Sequence, residues 1–327
     1  MGTRTQSTVA IQVLDNPCEA LGRAVATAVA FASAAKSDRT RELYAGAWAA
    51  FVDWAEASGA KPLPAQPEMV AAYIGHLAEL GRKPSTIELA LSAIAQAHKA
   101  ANLPSPRGSL SVAATRAGMR RSLGVAQRQV APLSVDNLRA MLATLPPTLA
   151  GSRDRALLLV GFAGALRRSE LVGLDVADLR FVQEGLEVTI RRSKTDQEGQ
   201  GRSVELPFGS NLETCPVRAV KVWLEASGIT AGPLFRPIGK ASRLRPGRLT
   251  ANSVAVMIKR TTAAVGLDAS QFSGHSLRAG FATQAAKAGQ GSRQIMRQTG
   301  HTSEAMVNRY VRLASRWENH PAAKLGL

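Results

Sequence analysis

Cysteine, aromatic and acidic residues are scarce in this chain of 327 residues, and long apolar runs are absent. Two cysteines, Cys18 and Cys215, are too few for a disulfide framework or a cysteine-based zinc site, and a reducing compartment is the simplest setting. Without a stretch of about 20 apolar residues, the sequence predicts no membrane-spanning helix. The alanine-rich stretch 24–35 follows the charged residues Glu19 and Arg23, and we interpret it as a helix rather than a signal peptide.

The shortage of aromatic residues, which make up 5% of the chain, argues against an all-β protein. Alanine and leucine are abundant instead, and this composition favours helices. Apolar residues amount to 45%, enough to build packed cores and to exclude wholesale disorder. Since the length exceeds that of a usual single domain, we expect two domains.

The 24 acidic residues are outnumbered by 41 lysines and arginines, which gives a formal net charge of +17. Nuclease chemistry on two metal ions needs convergent carboxylates, and the sequence has no acidic cluster. The H-E-x-x-H, G-x-x-x-x-G-K-[ST] and G-x-S-x-G motifs are also missing. The basic excess predicts a nucleic acid as partner, although a ribosome-associated factor would have a similar composition.

The periodicity predicts a mainly α-helical fold with one small antiparallel β-hairpin. In the first part of the chain, apolar residues at helical spacing predict four helices joined by short loops. The first begins after Ser37 or Asp38, with Asp38 as the cap, and ends near Gly59. The others are expected at 67–80, from just after Pro84-Ser85 to about 101, and at 110–123.

The hairpin is predicted by alternation of apolar and polar residues at 186–190 and again at 204–206. The polar, basic segment 193–201 joins the two strands. Before the hairpin we expect a helix to begin after Ser134, a buried helix at 156–164 and a short helix at 167–174. The remaining helices are expected at 214–227, 250–265, 275–288, 292–299 and 303–313.

His275 and Arg278 are three residues apart and follow the turn-forming pair Ser273-Gly274, so both should share one face at a helix N-terminus. Such an end attracts anions, and the two side chains together could grip one phosphate. Taken alone, an H-x-x-R on a helix has little specificity.

Tyr310 is the only tyrosine in the C-terminal two thirds of the chain, and it follows His301 by nine residues. A lone tyrosine on a helix usually packs in a core, and a lone histidine is usually a surface or core residue. The neighbouring Asn308, Arg309 and Arg312 are polar and basic, which suits a phenol near a polyanion better than a core ring.

Arg167 and Lys194 are the other candidate cations. Arg167 follows an apolar helix and needs a partner, for which Glu170 three residues later is the simplest structural choice. Alternatively, Arg167 faces a phosphate and Glu170 orients a neighbouring group. Lys194 lies in the hairpin loop, where it is either a solvated loop residue or a general acid for a leaving oxygen.

Together these residues resemble the tyrosine recombinase (phage integrase) family, and most of all its compact Cre-type members. The matching pieces occur in the family's order: R-x-x-E-L at 167–171, Lys194, H-x-L-R at 275–278, G-H at 300–301 and Tyr310. Many members carry a second histidine after the H-x-x-R arginine, where this chain has Ala279. The resemblance covers most of the chain.

The resemblance implies that Tyr310 attacks a scissile DNA phosphate and gives a 3′-phosphotyrosine and a free 5′-hydroxyl. Arg167 and Arg278 would hold the non-bridging oxygens of that phosphate. No metal and no cofactor is expected, because the phosphotyrosine conserves the bond energy for rejoining through a Holliday junction.

The remaining roles also follow from the resemblance. His275 would act as a base or hydrogen-bond partner, and His301 would donate to the phosphate. Lys194 would protonate the leaving 5′-oxygen, and Glu170 would support the site.

The resemblance further implies a clamp around double-stranded DNA and a homotetramer on synapsed DNA, formed from a protein that is monomeric in solution. The expected parts are a flexible segment 1–36, a helical core-binding domain 37–124, a linker 125–132, a catalytic domain 133–313 and a tail 314–327 that docks on a neighbouring protomer. The candidate DNA contacts are Arg82, Lys83, Arg116, Arg120, Arg121, Arg191 and Arg192.

We expect a cytoplasmic protein, encoded by a bacterium, phage or plasmid. Two other functions remain open from the sequence. A type IB topoisomerase or hairpin telomere resolvase would share the transesterification chemistry. A catalytically silent DNA-binding relative is the other, although it would have no reason to keep the full set of six catalytic residues.

Overall fold

The computed structural model describes residues 19–125, 130–193, 196, 200–314, 322 and 325. The chain forms two compact units, Met1–Gln127 and Arg128–Leu327. Among the described helices, none has both the length and the apolar character needed to cross a membrane. Three parts of the predicted organisation lie outside the described residues: Lys194, residues 126–129 of the linker and most of the tail, including Trp317.

Within its described residues, the first unit has five α-helices: α1 (Glu19–Ala34), α2 (Asp38–Ala57), α3 (Pro67–Glu79), α4 (Pro84–Ala100) and α5 (Leu110–Leu123). The four predicted helices and the alanine-rich helix before them are therefore confirmed. Phe51, Tyr73, Ile74, Leu91 and Ile94 are buried in the core of this unit.

The helix starts of the first unit follow from short polar residues and prolines. The hydroxyl of Ser37 accepts a hydrogen bond from the amide of Thr40 at 3.3 Å, so Ser37 caps α2. Asp38, the predicted cap, is the first helical residue instead. Pro67 and Pro84 occupy the first position of α3 and α4, where the missing amide hydrogen costs nothing.

The described part of the second unit contains a sheet and eight α-helices. The helices are α6 (Val135–Ala143), α7 (Leu149–Ala163), α8 (Arg168–Gly173), α9 (Pro216–Ser227), α10 (Ala251–Ala264), α11 (His275–Lys287), α12 (Ser292–Thr299) and α13 (Glu304–Ala314). Helix α7 begins seven residues before the expected Ala156, because Thr148 caps it through the amide of Gly151 at 3.2 Å. The polar residues 152–155 had concealed this first turn.

The sheet is antiparallel, with the strand order β1 (Leu179–Phe181), β2 (Gly185–Ile190) and β3 (Arg202–Pro207). Strands β2 and β3 form the predicted hairpin, in which Val188 faces Val204 and Ile190 faces Arg202. Strand β1 is an addition to that prediction, since three residues are too few to show an alternating pattern.

The core of the second unit surrounds α7, whose residues Leu157, Leu158 and Val160 are buried. A smaller apolar cluster on α11, α12 and α13 includes Ala282, Ile295 and Tyr310. Because α11 contacts both α7 and α13, it connects the core to the cluster that contains the tyrosine.

Candidate active site

The turn between α7 and α8 places Arg167 next to a buried carboxylate. Ala165 adopts a positive φ of 48°, and Arg167 is the N-terminal cap of α8. The carboxylate of Glu170 accepts from the backbone amide of Arg167 at 2.9 Å and from its guanidinium at 2.5 Å. Glu170 is therefore the partner of Arg167, and that Arg167 also faces a phosphate stays a prediction.

Arg202 at the start of β3 is a second cation on the same carboxylate. Its Nη2 lies 3.4 Å from Oε2 of Glu170, and its Nη1 donates to the carbonyl oxygen of Gln298 at 3.0 Å. Burial lowers the pKa of Arg202 despite the favourable charge of Glu170.

Arg278 is a third arginine of the site and is only 1% exposed. Its Nη1 donates to the carbonyl oxygen of Ala165 at 2.9 Å, so the strained turn anchors it. Its Nη2 is buried and has no acceptor among the described residues. Burial, and then the charge of Arg167, lower the pKa of Arg278 to about 10. A buried donor of this kind is costly unless an anion accepts from it.

Tyr310 on α13 points its hydroxyl at the first residue of α11. Its Oη lies 3.2 Å from Nε2 of His275, and the tyrosine is 8% exposed. Burial raises the pKa of Tyr310, so the phenol needs a base to release its proton. Burial, followed by the charge of Arg278, lowers the pKa of His275, which leaves a neutral imidazole that can accept that proton.

His301 lies just beyond α12, with its ring centroid 6.0 Å from that of Tyr310. The hydroxyl of Thr299 is 2.7 Å from the carbonyl oxygen of Ile295 and 2.8 Å from Nδ1 of His301. Both contacts are hydrogen bonds only if the hydroxyl donates to the carbonyl and accepts from Nδ1–H. Burial, and then the charges of Arg278 and Arg167, lower the pKa of His301 to about 4. In the neutral ring Nε2 is therefore an acceptor, and it becomes a donor only when the ring is protonated.

The charges of these residues match a phosphoryl group. Arg167 and Arg202 contact the carboxylate of Glu170, and Arg278 feels its charge without contacting it. Three guanidinium groups and one carboxylate leave two positive charges. A phosphodiester carries one negative charge, and a second develops on its oxygens during attack by an oxygen nucleophile. The part of the chain that the structure describes holds no group of three His, Cys, Asp or Glu side chains arranged as metal ligands.

The hairpin loop predicted to supply Lys194 is described only on either side of that lysine. The amide of Asp196 donates to the carbonyl oxygen of Ser193 at 3.2 Å. Next to the loop, the guanidinium of Arg191 contacts Asp178 at 2.6 Å and Asp175 at 3.4 Å.

Comparison with known proteins agrees with the geometry around Tyr310. The model of the Phage integrase family matches residues 132–316, a span that contains Arg167, His275, Arg278, His301 and Tyr310. The chain belongs to the phage integrase family. It is therefore a tyrosine recombinase.

Similar curated proteins include an integrase/recombinase XerD homologue from Selenomonas ruminantium, which is 41% identical over 84% of this chain and 82% of its own length. The Cre recombinase of Escherichia phage P1 is 26% identical over 81% of this chain and 80% of its own length. Both alignments extend well beyond the part of the chain that the family model covers.

Solved recombinases share the fold. XerH bound to its palindromic difH substrate covers 89% of this recombinase with a TM-score of 0.62 and 17% identity, over 81% of the XerH chain. A lambda integrase dimer bound to a COC′ core site covers 89% with a TM-score of 0.57 and 19% identity, over 93% of the integrase chain. At these identities the likeness concerns the mainly helical architecture with its small sheet.

The candidate DNA contacts in the first unit of the recombinase include an arginine cluster. The carboxylate of Glu88 on α4 accepts from Arg116 at 2.5 Å, from Arg107 at 2.9 Å and from Arg120 at 3.4 Å. Three cations on one carboxylate leave an excess of positive charge at this surface. Arg82, Lys83 and Arg121 are exposed nearby in sequence, and Arg192 is exposed in the second unit.

Sequence reasoning missed Arg202, Thr299 and the carbonyl oxygen of Ala165. Arg202 could have been found from the sequence, because alternate residues of a strand face the same side. Arg202 therefore faces inward with Val204 and Leu206. No local pattern shows that Thr299 contacts the ring of His301.

Proposed function

We propose that this tyrosine recombinase is a site-specific DNA recombinase that cleaves and rejoins strands through a covalent bond between Tyr310 and DNA. The observation that carries the proposal is the phenol of Tyr310 held 3.2 Å from His275, together with the buried Arg278 whose Nη2 lacks a protein acceptor. A nucleophile, a base and an unpartnered cation are the parts that phosphoryl transfer requires.

In the first step, the oxygen of Tyr310 forms a bond to phosphorus while the bond from phosphorus to the 5′-oxygen breaks. The phenolic proton passes to Nε2 of His275, which is neutral and within hydrogen-bond distance. The 5′-oxygen leaves with a proton, for which Lys194 is the proposed donor. The products are a 3′-phosphotyrosine and a 5′-hydroxyl, and attack by a 5′-hydroxyl reverses the step.

Arg278 and Arg167 stabilise the charge that grows on the non-bridging oxygens. Arg278 would direct its free Nη2 at one oxygen, and Glu170 keeps Arg167 in a fixed orientation toward the same group. Because both cations are already ordered, little reorganisation accompanies the reaction. The phosphate also raises the pKa of His301, so that its Nε2 becomes a donor to the second oxygen.

The test is covalent capture of DNA. A library of nicked duplexes with randomised sequence is incubated with the protein, and the adducts are isolated under denaturing conditions and sequenced. The wild-type protein should retain DNA of one sequence family, whereas Tyr310→Phe should bind the same DNA and retain none. An adduct with the Phe variant would contradict the nucleophile, and no adduct with the wild-type protein would contradict the proposal.

The captured sequence then separates recombination from related reactions. Two duplexes that carry it should exchange strands, with Holliday junctions accumulating when one strand exchange is blocked. Relaxation of a supercoiled plasmid without exchange would favour a type IB topoisomerase, and closed duplex ends would favour a telomere resolvase.

Residues 37–124 are proposed as the core-binding domain and residues 133–313 as the catalytic domain of a DNA clamp. Dimers and tetramers of lambda integrase bound to DNA support a homotetramer on two duplexes. Removal of residues 315–327 should abolish the tetramer if the tail docks on a neighbour, and intact tetramers after the deletion would refute that role.

A further inference from the structure

Arg202 is a charged residue on a face of β3 that otherwise belongs to the core. Val204 and Leu206, which share its parity, are each 1% exposed. The buried Nε of Arg202 has no acceptor among the described residues, and burial lowers its pKa. A well-packed apolar side chain would serve the fold at least as well as a partly satisfied buried cation.

The guanidinium of Arg202 lies between two segments that carry active-site residues. Nη2 reaches the carboxylate of Glu170 at 3.4 Å, and that carboxylate also holds Arg167. Nη1 donates to the carbonyl oxygen of Gln298 at 3.0 Å, three residues before His301. One rigid group therefore contacts both the Arg167 side and the His301 side of the site.

The turn that leads to His301 is also shaped by Arg202. Gly300 has a φ of +63°, and a Cβ at this position would lie 2.9 Å from Nε of Arg202 and 3.1 Å from its Cζ. The absence of a side chain at residue 300 thus lets the guanidinium lie against the backbone directly before the histidine.

We propose that Arg202 is a positioning residue of the active site, which sets the spacing of Arg167 and His301 by joining Glu170 to the end of α12. The inference rests on the proposed function of the site. Arg202 touches none of the reacting atoms in this scheme. A lysine keeps the charge but has a single terminal nitrogen, so it cannot hold both partners in the geometry of the guanidinium fork.

The experiment compares Arg202→Lys and Arg202→Met with the matched control Arg248→Met. Arg248 also joins a carboxylate, Asp175, to backbone carbonyls, those of Val172 and Leu174. Single-turnover adduct formation is measured at saturating DNA on the sequence captured by the wild-type protein. Both Arg202 variants should bind this DNA normally and cleave it about 10- to 100-fold more slowly, as expected for misplaced reacting groups. Arg248→Met should cleave at the wild-type rate.

A double-mutant cycle identifies the residue through which Arg202 acts. In a His301→Ala background, the loss caused by Arg202→Lys should shrink, because no imidazole is left to position and only the effect on Arg167 remains. If the effects of the two changes on the cleavage rate are fully additive, the proposal is overturned. Cleavage by Arg202→Lys at the wild-type rate would also overturn it, because it would show that charge alone matters.

A second measurement, on the protein without DNA, tests the positioning role of Arg202 independently of the proposed function. The ring resonances of His301 in the NMR spectrum should shift in Arg202→Lys and stay unchanged in Arg248→Met. Unchanged resonances in Arg202→Lys would overturn the positioning role. If the wild-type protein captures no DNA, the proposed function fails, and the His301 resonances still decide the role of Arg202.

Discussion

Arg278 lies in the core of the second unit with its pKa lowered to about 10, and its Nη2 donates to no described residue. The hydrogen bond to the carbonyl oxygen of Ala165 and the charge of Glu170 compensate this burial only in part. The protein keeps a cation where the fold gains little from it. This is the pattern of an active site that trades stability for activity.

Replacement of Arg278 by an apolar residue should therefore raise the stability of the protein and lower its activity. Arg278→Met, which keeps the length of the side chain, should raise the free energy of unfolding by about 1–3 kcal/mol, because a buried charge disappears. Adduct formation should fall by about 10²–10³-fold, since a donor to the phosphoryl oxygens is lost. Denaturant unfolding and single-turnover cleavage test the two effects, and a destabilised variant would contradict the stability argument.

The lowered pKa of His301 predicts how the stability of the protein depends on pH. Its pKa is about 4 in the folded protein against 6.5 as the ordinary value, so the unfolded chain binds more protons between these limits. The free energy of unfolding should therefore fall as the pH drops from 6.5 toward 4, by at most roughly 3 kcal/mol from this residue. His275 contributes in the same direction, because its pKa is lowered too.

The pH effect is measured by denaturant unfolding of the wild-type protein and of His301→Gln at pH 7, 5.5 and 4.5. The glutamine variant does not titrate, so the difference between the two proteins should widen in favour of the variant as the pH falls. Parallel curves would show that His301 already binds its proton readily in the folded state.

At the scale of elements, the sequence determines most helix bounds through local signals. The starts at Pro67 and Leu110 were predicted and are observed, and α4 begins at Pro84, slightly before its expected start. Local signals suffice here because caps and prolines act within one turn. Strand β1 was missed because three residues are too few to show a periodic pattern. The first turn of α7 was missed because the polar residues 152–155 separate it from the apolar part of the helix.

The site could be predicted only as a set of residues. The order of Arg167, His275, Arg278, His301 and Tyr310 along the chain indicates the family but contains no distances. The contact of Arg202 with Gln298 joins residues 96 positions apart, and it depends on how β3 packs against α12. Such tertiary contacts have no local signature, so the link between Glu170 and the end of α12 required the structure.

Helix α11 packs closely against its neighbours at Gly280. A Cβ on Gly280 would lie 2.3 Å from the carbonyl oxygen of Leu133 and 2.9 Å from the ring of Phe162. Gly280→Ala should therefore destabilise the second unit by about 1–3 kcal/mol. It should also slow cleavage, because α11 carries His275 and Arg278.

The matched control for this helix is Gly118→Ala in α5, where a Cβ would meet nothing within 4 Å. There the alanine should stabilise the helix by about 0.5–1 kcal/mol, since it lowers the backbone entropy of the unfolded chain. Thermal unfolding of both variants measures the contrast, and equal effects would mean that α11 can shift to accept the methyl group.

At the scale of the whole molecule, the net charge of +17 makes DNA affinity a function of salt. Each phosphate contact that is lost should reduce the slope of log K against log salt by about 0.9. Replacement of Arg120 and Arg121 by glutamine should thus flatten the slope by up to about 1.8 while leaving the cleavage rate at saturating DNA unchanged.

The control for the salt experiment is Arg180→Gln, because Arg180 is neutralised by its own partner Glu187 across β1 and β2. Its slope should match that of the wild-type protein. A slope unchanged by the double replacement would remove Arg120 and Arg121 from the DNA contacts.

The contact between residues 202 and 300 also constrains how this protein can diverge. A Cβ on residue 300 and a guanidinium on residue 202 compete for the same volume, with atoms 2.9 Å apart. A descendant that gains a side chain at 300 should therefore either lose the arginine at 202 or displace its guanidinium, and the positive φ adds a strain of its own. The two positions ought to change as a pair over evolutionary time, although they lie 98 positions apart in the chain.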